Sequence, residues 1–187
     1  MEDISGKLIL ITGGARSGKS TFAERYAAAG DKKVIYIATA AGDDEEMRRR
    51  IAGHRKRRPP QFDTVEEPFY PHRILEKGKK GNLFLLDCLT LLLTNHLLKK
   101  GEKEEEGPSF WFEQATATLQ YIELLMESVG RCPADIMIVT NEVGMGLVPE
   151  NKLGRIFRDL AGKANQIVAT EADEVWLMVC GIAQQIK

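Results

Sequence analysis

A single α/β domain, doubly wound around a mainly parallel sheet, is the fold this sequence predicts, and three observations predict it. Apolar, β-branched runs about five residues long recur along the chain. Amphipathic stretches of helical period lie between them, and a glycine-rich turn joins the first run to the first such stretch. The 187 residues suit one domain with a substantial core, and neither an internal repeat nor a long structureless linker interrupts the alternation.

The runs are Leu8 to Thr12, Val34 to Ala38, Leu83 to Leu86, Ile136 to Thr140 and Val175 to Val179, with a weaker one at Phe62 to Val65. The five strong runs are apolar on both faces, the pattern of central strands covered on each side by helices. The segment Thr21 to Ala29 reads as the first helix. Asp43 is an N-cap with Glu46 as the reciprocal partner of a capping box, so a helix runs through Met47 and Ile51 towards Arg58 until Pro59-Pro60 stops it. A helix begins near Leu89. Trp111, Ala115, Leu119, Ile122, Met126 and Val129 recur at three- and four-residue steps, with Gly130 as the expected stop. Leu153, Ile156, Phe157, Leu160, Ala164 and Ile167 repeat the pattern. Gly101 to Pro108, rich in glutamate, reads as exposed loop.

Composition removes several functions. With 26 Lys and Arg against 27 Asp and Glu, the net charge is −1, which argues against a whole-molecule footprint for nucleic acid. The most apolar stretch, Leu89 to Leu98, holds Thr90, Thr94, Asn95 and His96 and falls short of the roughly 20 apolar residues of a membrane span. The acidic start Met1-Glu2-Asp3 is unlike a secretory leader, which points to the cytoplasm. Cys88, Cys132 and Cys180 are odd in number and widely spaced, so they support neither a disulfide framework nor a zinc site.

Gly13-Gly14-Ala15-Arg16-Ser17-Gly18-Lys19-Ser20 fits G-x-x-x-x-G-K-[ST] between a strand and a helix, which makes the sheet one of the P-loop NTPase type. Backbone N–H groups of such a turn curl around phosphate oxygens at the positive end of the following helix. Lys19 is expected to reach the β- and γ-phosphates and Ser20 Oγ to ligate Mg²⁺. A dinucleotide-binding turn fits less well, because Ala15 replaces its middle glycine and the second strand ends Ile37-Ala38-Thr39 without a carboxylate. Asp87 closes the run Leu83 to Leu86 at the sheet edge, where it serves either as the second magnesium contact, the favoured reading, or as a cap for the helix behind it.

Arg48 to Arg58 holds seven Lys and Arg in eleven residues. Asp43, Asp44, Glu45 and Glu46 stand just before it and no aromatics interleave it, so a triphosphate clamp suits it better than a nucleic-acid surface. His54 falls on the face of Met47 and Ile51, among cations that disfavour imidazolium. A neutral imidazole there is a candidate nucleophile towards phosphorus, although spacing alone favours a packed or surface histidine without chemistry. His72 and His96 have less context still. The Thr140 to Pro149 segment turns on Gly144 and Gly146 at a strand end, where Glu142 either orients substrate or a metal-bound water or sits in a loop that only connects.

These residues together resemble a known family over nearly the whole chain. The match rests on Thr12 to Ser20, Tyr36-Ile37-Ala38-Thr39, Arg50-Ile51 with His54 and Arg58-Pro59, Thr140-Asn141-Glu142-Val143-Gly144-Met145-Gly146 with Val148-Pro149, Phe157-Arg158-Asp159, and Ala172-Asp173-Glu174-Val175-Trp176. The family is the bifunctional adenosylcobinamide kinase/adenosylcobinamide-phosphate guanylyltransferase of cobalamin biosynthesis. The resemblance implies phosphoryl transfer from ATP or GTP to a corrinoid. It then implies attack of His54 on the α-phosphate of GTP, with GMP carried as a phosphoramidate to the substrate phosphate. It further implies nucleotide contacts at Ala38, Thr39, Ala40, Arg55, Lys56, Arg57, Arg58, Glu66 and Asp87, and a homotrimer. The strand-end acid is often Glu in this family and is Asp87 here. A small-molecule kinase without a covalent step, or a nucleotide-driven nucleic-acid module, remain the competing readings of the residues themselves.

Overall fold

The computed structural model describes residues 5–40, 58–99 and 108–187, together with Glu45 and Gly53. Seven strands form one sheet: β1 (Leu8–Gly13), β2 (Lys33–Ala38), β3 (Asp63–Glu66), β4 (Asn82–Asp87), β5 (Asp135–Val139), β6 (Glu174–Val179) and β7 (Ile182–Gln185). Their order is β3-β2-β4-β5-β1-β6-β7, parallel throughout except for the antiparallel β6–β7 pair. The described helices are α1 (Lys19–Ala28), α2 (His72–Leu75), α3 (Leu89–Leu97), α4 (Pro108–Arg131) and α5 (Lys152–Glu171).

Alternate residues of each central strand feed two cores, as a doubly wound sheet requires. Leu8, Leu10, Leu86, Ile136 and Ile138 pack against α3, α4 and α5, with Leu92, Leu93, Ile122 and Leu160 all but fully buried there. Ile9, Ile11, Leu85, Met137 and Val139 pack on the other face against Ala23 and Ala27 of α1. Burying each such side chain contributes about 1.5–3 kcal/mol, so the central strands are held from both sides. The parallel register aligns the C-terminal ends of β1, β2, β4 and β5 along one edge, where Gly13, Ala38, Asp87 and Thr140 stand.

Three elements differ from the sequence expectation. Gly130 does not stop α4, which runs on to Arg131. Gly130 does not take a positive φ; the stop comes from Pro133, which has no N–H to continue the ladder and restrains Cys132. The strand β7 was hidden because Ile182-Ala183-Gln184-Gln185 is too polar to read as a strand. It forms because Cys180 and Gly181 both take positive φ, at 52° and 82°, the geometry of a tight two-residue hairpin. The four-residue helix α2 is too short for a periodic signal. The predicted helix from Asp43 towards Arg58 and the loop at 101–107 lie outside the described residues.

Candidate active site

The turn between β1 and α1 is fixed by its backbone. Gly13 has φ 145°, and a Cβ there would lie 2.4 Å from the carbonyl oxygen of Met178 on β6, so no larger residue fits without displacing backbone. Its own carbonyl accepts from the Glu142 N–H at 2.9 Å and from Lys19 Nζ at 3.0 Å. Lys19 Nζ also donates to the Gly14 carbonyl at 2.6 Å, which holds this buried ammonium inside the curl of the turn. The tip is tied to the β6–β7 hairpin by Gly181 N–H donating to the Ser17 carbonyl at 2.9 Å. Gly18, at φ 98°, opens α1.

A cavity of about 700 Å³ opens at this sheet edge, the size of an ordinary small-ligand site. From the turn it is lined by Arg16, Ser17, Gly18, Lys19 and Ser20; from the opposite side by Ala38, Ala40, Arg58, Glu66 and Asp87. The structure therefore brings most of the sequence-predicted residues to one place. Gly13, Gly14 and Ala15 do not line the cavity, and Gly13 and Gly14 act through the carbonyls that hold Lys19. Thr39 is fully buried beside it: its hydroxyl donates to the Cys88 carbonyl at 2.7 Å and accepts from the Cys88 N–H at 2.8 Å. His54, Arg55, Lys56 and Arg57 lie outside the described residues, and Gly53, next to His54, is part of the cavity wall.

Asp87 is not a helix cap. The N-cap position of α3 belongs to Cys88, and the Asp87 carboxylate instead accepts from Tyr36 Oη at 2.5 Å. Burial, then the neighbouring Asp87 charge, pushes the Tyr36 phenol far above its usual range, so it stays a donor. The other side of its function is the ring face: the Arg58 guanidinium carbon lies 3.7 Å from the ring centroid, a cation–π contact. Arg58 Nε and Ser17 Oγ are buried polar atoms without a hydrogen-bond partner among the described residues, and both residues line the cavity. Donors left open in this way suit an anionic ligand.

Sequence reasoning missed Tyr36, Thr21, Cys88, Leu91, Val139 and Asn141, which also line the cavity. The signal for Tyr36 was present, since its hydroxyl is the one polar side-chain group in Val34 to Ala38 and a buried tyrosine hydroxyl needs a partner. Glu142 is not on the cavity wall; its carboxylate accepts from the Gly144 N–H within its own loop. His72 and His96 pack away from the cavity around Tyr121, with His96 stacked on that ring at 4.0 Å. Asn95 on α3 donates to the carbonyls of Thr39 and Pro68, both at 2.8 Å, fastening the chain just after β2 to the chain just after β3. Among the described residues, no group of three or more His, Cys, Asp or Glu side chains could cage a metal, and no helix is long and apolar enough to cross a membrane.

The profile of the family described as cobinamide kinase / cobinamide phosphate guanyltransferase matches residues 9–186. The chain belongs to this family. It is therefore a nucleotide-using kinase and guanylyltransferase. It is 46% identical over 184 residues to the bifunctional adenosylcobalamin biosynthesis protein CobU of Escherichia coli (strain K12), covering 96% of this chain and 99% of that protein. It is 42% identical over 179 residues to the bifunctional adenosylcobalamin biosynthesis protein CobP of Pseudomonas aeruginosa, covering 95% of this chain and 96% of that protein. Among solved structures, a prototypical ATPase from the type III secretion system of pathogenic bacteria is similar with a TM-score of 0.57 at 14% identity, over 92% of this chain and 52% of that one. That likeness shows the P-loop fold.

Burial, and secondarily the Asp87 charge, pushes the Cys88 thiol up to about 11, whereas Cys180 is exposed on its hairpin turn. At pH 8 an alkylating reagent should therefore modify Cys180 and spare Cys88, with Cys88 labelling rising only as the pH nears its raised value. Peptide mass spectrometry reads the sites, and equal labelling at pH 8 would show that Cys88 is open to solvent.

Proposed function

We propose that this chain performs both transfers of its family as a single domain over residues 1–187. In the first, the γ-phosphoryl group of ATP or GTP passes to a hydroxyl of adenosylcobinamide. In the second, a neutral His54 attacks the α-phosphorus of GTP. The new P–N bond forms as the bond to the bridging oxygen breaks and pyrophosphate leaves. An oxygen of adenosylcobinamide phosphate then attacks the same phosphorus, the P–N bond breaks, and adenosylcobinamide-GDP departs with the imidazole restored. Splitting the transfer through a covalent intermediate replaces one difficult displacement with two easier ones.

The observation that carries this reading is convergence: the phosphate turn, Asp87, Arg58 and Gly53 meet on one cavity in a chain of this family. Lys19, anchored on two carbonyls, supplies charge where a triphosphate tail would lie. Arg58, stacked on Tyr36, stands four residues after His54 in the sequence and adds a further cation to the cavity wall. Ser20 and Asp87 line the same cavity and fit Mg²⁺, which takes few protein ligands and keeps several waters, in line with the lack of a carboxylate cage among the described residues. When bound, the ion would neutralise phosphate charge. Glycine-turn N–H groups, Arg16 and the residues Ala38, Thr39, Ala40, Arg55, Lys56, Arg57 and Glu66 complete the nucleotide site in this reading. The enzyme acts in the cytoplasm, as a homotrimer and without nucleic acid; the balanced net charge supports the last point.

Three outcomes test the reading. GTP labelled on its α-phosphate leaves acid-labile, base-stable label on the protein, and His54→Ala abolishes it. Label that persists on the variant would move the nucleophile elsewhere, and phosphorylated corrinoid with no labelled protein would leave only a kinase. Lys19→Ala weakens GTP binding by roughly 10- to 100-fold in calorimetry, the loss expected for charge-assisted bonds to phosphate; unchanged affinity would misplace the phosphates. Tyr36→Phe frees Asp87 from its donor and lowers the gain in GTP affinity on adding Mg²⁺ by roughly tenfold, since groups that orient a metal's ligands carry effects of that size. An unaltered gain would remove Asp87 from the metal site.

A further inference from the structure

The phosphoryl chemistry leaves unused an exposed feature, the loop that follows β5. Its root is polar and fastened. Thr140 Oγ1 donates to Asn165 Oδ1 at 2.7 Å, Asn141 Nδ2 to Thr90 Oγ1 at 2.8 Å, and the Glu142 N–H to the Gly13 carbonyl at 2.9 Å. Its far end is held as well, by Arg155 Nη1 donating to the carbonyls of Pro149 and Glu150 at 2.9 and 2.6 Å. Between these anchors the side chains turn outward: Met145, Leu147 and Val148 are 83%, 97% and 62% exposed. Three large apolar side chains in four residues, held out on a pinned loop, are not explained by the fold.

We propose that Met145, Leu147 and Val148 form the seat for the macrocycle of the corrinoid acceptor. This rests on the function proposed above. The cavity of about 700 Å³ has room for one ordinary ligand, which is the nucleotide, so the far larger corrin ring lies outside it with only its reactive arm reaching in. The loop stands at the right place for that division. Asn141 lines the cavity, Glu142 is hydrogen-bonded to the phosphate turn, and Met145 is three residues on, within about 11 Å of chain. The chemistry also agrees, because a corrin ring presents broad apolar faces and a flexible methionine beside two aliphatic side chains packs against such a surface. A second copy of the chain is the lesser fit, as three side chains are far from the 20–30 residues a side typical of a stable protein interface.

Steady-state kinetics of the second transfer on the full chain test this, with adenosylcobinamide phosphate and GTP varied in turn. Leu147→Ser, alone and with Met145→Ser, should raise the ratio of the KM for the corrinoid to the KM for GTP about tenfold, and Leu147→Met should restore it. Circular dichroism and light scattering on the same samples report folding and subunit number. If the double substitution unfolds the protein, the exposed single substitution Val148→Ala carries the test, with the same ratio rising. An unchanged ratio in folded variants overturns the proposal, and an unchanged ratio with fewer subunits assigns the loop to contacts between copies. A wild-type chain that takes label from GTP yet transfers nothing to the corrinoid overturns the acceptor reading, and the seat with it.

Discussion

At Gly13 four stretches of backbone converge, and the geometry of the cavity depends on that convergence. The strand β1 ends there, the phosphate turn starts there, the β5 loop hydrogen-bonds to its carbonyl, and the Met178 carbonyl of β6 occupies the space of a missing Cβ. Because Lys19 binds the same carbonyl, the position of the ammonium is set by the sheet rather than by the mobility of a long side chain. A methyl group at this one position would push on β6 and on Ser17 of the turn, next to the carbonyl that holds the β5 loop and the lysine.

The opposite wall obeys a second constraint, the pairing of Tyr36 with Asp87. One aromatic side chain joins two parts of the cavity: its hydroxyl orients the acid at the end of β4 and its face carries Arg58 from the chain leading into β3. Charge at the cavity is thus distributed over rigid supports, Lys19 on carbonyls, Arg58 on a ring and Asp87 on a phenol. Preorganised charge of this kind stabilises phosphoryl transfer without reorganising as the reaction proceeds.

How much of this was legible in the sequence follows from where each signal resides. The central strands could be read because both faces are buried, which forces continuous apolar runs such as Leu83 to Leu86. The turn from Gly13 to Ser20 could be read because its glycines and lysine are dictated by local backbone geometry. By contrast, β7 owes its place to a hairpin whose first turn residue is Cys180, an unusual occupant of positive φ, and the strand itself is half polar. Tyr36 and Asn141 act through partners 51 residues away in each case, Asp87 and Thr90, and contacts at that range leave no periodic trace. Gly130 misled for the opposite reason, since a glycine can sit quietly in a helix when a proline shortly after does the stopping.

The bridge made by Asn95 has a bearing on how this enzyme can change over generations. By gripping the carbonyls of Thr39 and Pro68, it welds the exit of β2 to the exit of β3, so the two strand ends beside the cavity share one support. Neither Asn95 nor the carbonyls that cradle Lys19 belong to the stretch 41–57, so changes in that stretch alter none of these groups directly. That stretch is in this sense a cassette, open to remodelling while the lysine cradle stays as it is.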